Sequence, residues 1–247
     1  MATVTAVRER NNTKSKSASS RQRATEASDD YLKAVYALGG PDGDRVPASE
    51  VAARLKISGA SVTKMLQKLS SSVPSLLIYE KHHGVRLAKA GRERALEIVR
   101  HHRLIETFLH EVLDYPWDEV HDEAERLEHF ISERFEARIA AKLGHPKFDP
   151  HGHAIPALDG TLPAGKSETL AQMDTGDQRR VVSVSDENPE MLRFLRAQGI
   201  GPGVEVKLIE KLPFEGGYRV SLASGKKPVL LSGPLASAVF VGIGTPK

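Results

Sequence analysis

The sequence predicts a mainly α-helical chain with small β parts: an N-terminal winged helix-turn-helix, an acidic helical middle and a small β-rich C-terminal part. Three observations carry this. Apolar residues recur at helical spacing in three short segments between 29 and 70, and a hairpin pattern follows at once. Helical spacing then resumes from about 90 to 143, in a stretch whose charge changes sign. Past a Pro/Gly-dense stretch, short β-branched runs alternate with turn residues, as strands do.

The elements follow in order. Ser28 with Asp29 and Asp30 reads as an N-cap and acidic first turn, and Tyr31, Val35 and Leu38 give a helix stopping at Gly39-Gly40. Val51, Ala52 and Leu55 mark a second helix. Ser58 caps a third, whose Val62, Met65, Leu66 and Leu69 form one apolar stripe. The connection Lys56-Ile57-Ser58 makes the last two a helix-turn-helix. Its second helix exposes Ser58, Ala60, Ser61, Thr63, Lys64, Gln67 and Lys68. Small hydroxyls and lysines suit approach to base edges and phosphates in a major groove. Leu76–Tyr79 and Val85–Leu87, joined through Glu80–Gly84, read as a hairpin wing, with Lys81 and Arg86 placed for phosphate contact.

Charge supports this division. The chain has 247 residues with 35 Lys and Arg against 32 Asp and Glu, and the net +3 hides segments of opposite sign. Residues 1–95 carry 17 basic and 9 acidic side chains, the composition of a part facing a polyanion. Residues 96–150 carry 7 against 13 and hold six of the ten histidines, a composition suited to a cation. Residues 1–28, polar and without apolar period, read as a disordered basic arm.

In the acidic part His102 and Glu106 stand at i, i+4 on a helix running from about Ala90 to Leu113. A second helix, with Pro116 at its first position, is predicted through Val120, Ala124, Leu127 and Ile131 to about Leu143. On it His121, Glu125, Glu128 and His129 fall within an arc of about 100°. So many carboxylates on adjacent helices repel one another without a cation between them. All ligands are nitrogen or oxygen, a set compatible with Mn, Fe(II), Co, Zn or Ni.

Cysteine is absent, which excludes a disulfide framework, a thiolate nucleophile and Cys-based metal sites. With no apolar run near membrane-spanning length and no signal-peptide core, no membrane partner and a cytoplasmic location are expected. A His/carboxylate metalloenzyme, such as a hydrolase, is the alternative class. A metal-buffering protein with an incidental DNA-binding fold is a third.

In this order the parts resemble the diphtheria-toxin-repressor family of metal-dependent transcriptional regulators. The resemblance covers about 29–247 and rests on Asp30-Tyr31-Leu32, the run Ser61 to Leu69, Tyr79-Glu80-Lys81, His102-Arg103-Leu104-Ile105-Glu106, Val120 to His129, and Pro150-His151-Gly152-His153-Ala154-Ile155-Pro156. It implies a metal-responsive regulator, not an enzyme, that binds a double-stranded operator as a homodimer, with Mn(II), or alternatively Fe(II), as corepressor. The implied domains are a winged helix-turn-helix over 29–95, a helical metal-binding and dimerisation domain over 96–145, a linker over 146–165 and an SH3-like small β-barrel over 166–247. The implied ligands are Asp30, Glu125, Glu128 and His129 at one site. His102, Glu106 and His121 form a second, completed by Glu187 and Glu190 from the C-terminal domain. The recognition run and wing are most similar to the manganese-responsive branch, and Glu125 stands where iron-responsive members carry cysteine. Lys33, where that branch has a glutamate ligand, and His121, an iron-branch ligand, depart from the binuclear manganese layout and imply two separate sites.

Overall fold

The computed structural model describes residues 25–40, 43–214, 216–223, 225 and 227–243. Two compact units result, residues 1–99 and 100–247. The basic arm expected over 1–28 lies outside the described residues except for 25–28, and those are helical.

In the first unit, helix α1 spans 25–39, so Ser28 lies inside a helix and does not cap one. Asp29 is buried, and the Arg94 guanidinium holds both of its oxygens, at 2.9 and 2.7 Å. The acid predicted to complement a helix dipole is instead a paired anchor. Helices α2 (Ala48–Leu55) and α3 (Gly59–Ser70) follow, joined by Lys56 in the left-handed conformation at φ 55°. The Ser58 side chain accepts from the Ser61 N–H, as the capping pattern predicts. Strands β1 (Leu77–Glu80) and β2 (Gly84–Leu87) pair antiparallel with Leu77 opposite Leu87. Val46 adds a bridge to Val85, which brings backbone against Gly84: at φ +91° a Cβ there would lie 2.5 Å from the Val46 carbonyl oxygen. Leu32, Val51, Val62, Leu66, Leu77 and Val85 form the core of this unit.

Helix α4 (Lys89–Leu113) contains the boundary between the units. The single helix expected from Pro116 to Leu143 is two: α5 (Val120–Leu127) and α6 (Glu133–Lys142). Residues 117–119 form a turn, and the break at 128–132 ends where Ser132 caps α6 by accepting from Phe135. Ile105 and Leu109 pack on Val120 and Ala124, and Leu104 packs with Ile139, Ala140 and Ile155. The segment 146–165 is not a solvated tether. Phe148 bridges Ala154, and Asp149, His151 and Ile155 are buried.

The C-terminal part is a six-stranded antiparallel sheet in the order β3-β8-β4-β5-β6-β7. Its strands are β3 (Ser167–Thr169), β4 (Gln178–Val184), β5 (Glu205–Leu212), β6 (Gly217–Leu222), β7 (Val229–Leu231) and β8 (Val239–Gly242). Helix α7 (Pro189–Gln198) crosses between β4 and β5, and α8 (Gly233–Ser237) precedes β8. Alternation places Val181, Val184, Val206, Leu208, Val220 and Leu222 inside, and irregular register at Val181/Ser183 and Leu208/Glu210 interrupts two of the ladders. Trp117, from the turn before α5, packs into this core, and Arg193 on α7 pairs with Asp118 at 2.9 Å.

Candidate metal centre and nucleic-acid interface

In the first unit, Ser58, Ala60, Ser61, Lys64, Gln67 and Lys68 are exposed along α3, while Thr63 is half-buried. The Thr63 hydroxyl donates to the Gly59 carbonyl at 2.9 Å, and the Ser58 and Ser61 hydroxyls meet at 2.9 Å. Lys81 and Arg86 are exposed on the wing, and Arg45 pairs with Glu80 at its base. Exposed cations on helix and wing, with small polar side chains along α3, have the chemistry that phosphate contact requires. Asp30 lies half-buried on α1.

In the second unit, α4 and α5 bring His102, Glu106 and His121 together, and the residue that joins them from the C-terminal part is Asp186. His102 Nε2 lies 3.0 Å from Glu106 Oε1 and 3.1 Å from His121 Nδ1; that nitrogen lies 3.3 Å from Glu106 Oε1 and 3.4 Å from Asp186 Oδ2. Glu187 and Glu190 are exposed. Asn188 caps α7 by accepting from the N–H groups of Glu190 and Met191, so Glu190 occupies the first turn of a helix, where an acid has an ordinary electrostatic place. On the other side of His102, Nδ1 approaches Glu128 Oε2 at 2.5 Å, and Glu125 shares this group. His129 Nε2 lies 3.4 Å from Glu128 Oε1, on the turn after α5 and not on its helical face.

Two further histidines were missed as ligand candidates, although the motif containing them was evident. The loop 149–153 is closed by Asp149, whose Oδ1 accepts from the His151 and His153 N–H groups at 2.8 and 2.9 Å. Gly152, at φ +87°, lets it lie against β4, where a Cβ would fall 2.0 Å from the Val182 carbonyl oxygen. This delivers His151 Nδ1 to within 3.7 Å of Glu106 Oε1 and 4.0 Å of Asp186 Oδ2, and His153 Nδ1 to 3.5 Å from Asp186 Oδ2. His151 Nε2 lies 2.7 Å from the Trp117 carbonyl, which only accepts, so Nε2 carries the proton. In the neutral ring Nδ1 then presents a lone pair to two carboxylates, the arrangement in which an outer partner orients a metal-ligating histidine.

The donor set fits a divalent cation. Glu106 Oε2 and His151 Nδ1 are buried without a hydrogen-bond partner among the described residues. Ligands about 2.1 Å from one ion and separated by about 90–110° stand about 3.0–3.4 Å apart, close to the spacings among His102, Glu106, His121 and Asp186. Electrostatics agrees. Burial alone would raise the Glu106 carboxyl, but the His102 and His121 imidazoles hold it below its usual range. Asp186 behaves likewise: burial is outweighed by His121, His153 and His151, and it is held well below the usual carboxylate range. Burial pulls His121 down, yet hydrogen bonds to Asp186 and Glu106 prevail and raise it to about 10. His153 is also raised: burial opposes this, and the Asp149 and Asp186 carboxylates outweigh it. In metal-free protein a proton thus occupies lone pairs that a divalent cation would use.

Comparison with known proteins agrees with both halves of this geometry. Three family models match: "iron dependent repressor, N-terminal DNA binding domain" over 23–85, "iron dependent repressor, metal binding and dimerisation domain" over 88–157, and "FeoA domain" over 168–242. The iron-dependent repressor IdeR of Mycobacterium leprae is 29% identical over 223 residues, 85% of this chain and 94% of the relative. A solved manganese-dependent transcriptional repressor in complex with manganese is 38% identical, covering 87% of this chain and 99% of that one with a TM-score of 0.81. The manganese regulator SloR is 31% identical over 87% and 97% of the two chains, with a TM-score of 0.70. The metalloenzyme alternative has no counterpart among these matches. With a winged helix, a buried nitrogen and oxygen cluster and a small β domain in the same order, the chain belongs to the family of iron- and manganese-dependent transcriptional repressors.

Proposed function

We propose that this chain is a manganese-responsive repressor that binds a palindromic operator as a homodimer, with Fe(II) the alternative corepressor. The observation that carries the reading is the buried cluster of His102, Glu106, His121 and Asp186, joined by His151 and His153. These residues are assigned as one metal site. Glu125, Glu128 and His129 are assigned to the other, and Asp30 is added to it by the family resemblance. Manganese is favoured because the anionic ligands are all hard carboxylates and none is a thiolate. A bound divalent cation supplies the positive charge that offsets these carboxylates and cross-links the segments that carry them.

The remaining steps belong to the protein. His102 and Glu106 fix α4, His121 fixes α5, and Asp186, His151 and His153 hold the C-terminal part to them. Such a lock is a population shift: moving an equilibrium from 1:99 to 99:1 takes about 5.5 kcal/mol of differential binding. A multidentate site completed in only one conformation supplies energy of that order. Leu113, Leu127, Phe130 and Phe135 are exposed on the second unit, and this apolar surface supports pairing of two copies. Lys64, Lys68, Lys81 and Arg86 are assigned to phosphates, and Ser58, Ala60, Ser61, Thr63 and Gln67 to the groove.

The test is a Mn(II) titration, with Fe(II) run anaerobically in parallel, against a mixed pool of short palindromic duplexes at fixed salt. Retention of duplex should be metal-triggered. Tight metal binding with no duplex retained at any metal concentration would overturn the regulator reading.

A further inference from the structure

A further group of metal-capable side chains lies outside the two sites assigned above, at the start of α6. We propose that His101, Glu133 and Glu136 form a further divalent-cation site that pins this break. His101 sits on α4, next to His102, but belongs to a different group of metal-capable side chains. Its Nδ1 lies 3.3 Å from the Glu128 carbonyl oxygen. A carbonyl only accepts, so Nδ1 carries the proton and Nε2 of the neutral ring bears the lone pair. Nε2 lies 3.3 Å from Glu136 Oε2 and 3.5 Å from Glu133 Oε1.

Three features separate this arrangement from an ordinary buried ion pair. First, His101 Nε2 is buried with no hydrogen-bond partner among the described residues, on a side chain only 4% exposed, and it is aimed at two carboxylates. Second, the separations are longer than the roughly 2.7–2.9 Å of a charge-assisted hydrogen bond. Each of the two matches one edge of a coordination polyhedron with bonds of about 2.1 Å, both meeting at His101 Nε2. Third, Glu136 is already oriented. Its Oε1 accepts from Arg100 Nε at 2.5 Å, and that guanidinium also donates to the Pro156 carbonyl at 2.7 Å. The other oxygen is thereby turned toward His101. Glu133, with its side chain 69% exposed, gives the site a solvent side where water completes the shell.

One imidazole and two carboxylates select a first-row divalent ion, and the half-open position makes the site weaker than the buried cluster. Its consequence is mechanical. Glu133 and Glu136 lie in the first turn of α6, while His101 holds the carbonyl of Glu128, the residue that ends α5. An ion at this position ties the start of α6 to α4 beside that carbonyl, so residues 128–132 are clamped from both ends.

The test uses the full chain and Mn(II) alone, comparing wild type, Glu133→Gln and Asp186→Asn by equilibrium dialysis with elemental analysis and by electron paramagnetic resonance of free Mn(II). Glu133→Gln alters an exposed side chain and should fold as wild type does, which a circular dichroism melt in chelator checks. It should bind one fewer Mn(II) per chain in the weaker class, or bind that ion at least tenfold more weakly, and keep its tight binding. Asp186→Asn should show the reverse pattern, so the two assignments can fail separately. Equal stoichiometry and affinity for wild type and Glu133→Gln would overturn the proposal, as would an anomalous-scattering map of Mn(II)-soaked crystals without a peak among these three side chains.

Discussion

Replacing Asp186 by Asn tests the metal centre most directly, because the carboxylate at this position comes from the C-terminal part and is surrounded by histidines. The variant keeps the size of the side chain and removes one negative charge 3.4 Å from His121, 3.5 Å from His153 and 4.0 Å from His151. At about 4 Å and an effective dielectric of about 20, two unit charges interact by about 4 kcal/mol. A divalent ion doubles that figure. Part of the gain is already present in metal-free protein, since His121, raised to about 10, carries a proton at neutral pH that metal binding displaces. The net loss on substitution is therefore about 2–4 kcal/mol, roughly 30- to 700-fold in affinity at about 1.4 kcal/mol per decade. Competition against a calibrated chelator at pH 7.5 measures it. Glu187→Gln and Glu190→Gln, exposed and outside the cluster, should each change affinity less than threefold. A loss below threefold for Asp186→Asn, or an equal loss for Glu187→Gln, would refute the assignment.

Two other outcomes follow from the same geometry. Metal binding should release protons and strengthen with pH. In metal-free protein, the raised His121 contributes stability that is complete below about 6.5 and lost as pH rises through about 10, whereas the depressed Asp186 and Glu106 contribute stability present above about 4 and lost on further acidification. Calorimetric titration in two buffers of different ionisation enthalpy measures the proton count at pH 7.5; no release of protons would show His121 to be neutral there. At the other end of the chain, Lys64→Ala and Lys68→Ala should each reduce the slope of log affinity for duplex against log salt by about 0.9 per lost phosphate contact, without changing metal affinity. Unchanged slopes in a fluorescence anisotropy titration would remove these lysines from the interface.

The elements that were legible in the sequence are those whose signal is local. Ser58 before the stripe Val62, Met65, Leu66 and Leu69 marks α3, because a capping side chain and a 3.6-residue period are both properties of a single helix. The wing and the strands β4 to β8 are legible for the same reason, through alternation between turns. The break after α5 was hidden because Val120, Ala124, Leu127 and Ile131 keep helical spacing straight through it. Its signal was Ser132 followed by Glu133, a cap pattern inside an apparently continuous period. Strand β3, three residues long with two only half-buried, has too little apolar pattern to detect.

The site divides along the same line. His102, Glu106 and His121 were legible because helical spacing fixes which side chains share a face. Asp186, His151 and His153 reach them through a loop folded back on β4 at Gly152, and no period relates residues 106, 121, 151 and 186. The family resemblance pointed to Glu187 and Glu190 around the start of α7, while Asp186, one residue before Glu187 and just past the end of β4, is the one brought inward. The energetics explain why such a cluster exists at all. Glu106 and Glu128 are fully buried, and buried carboxylates without full compensation cost several kcal/mol. A purely structural core would do better with apolar side chains of similar volume. For a sensor, however, the cost is useful: a metal-free state held together by protonated histidines is higher in energy than one held by a divalent ion, and that difference is what metal binding can convert into a change of conformation.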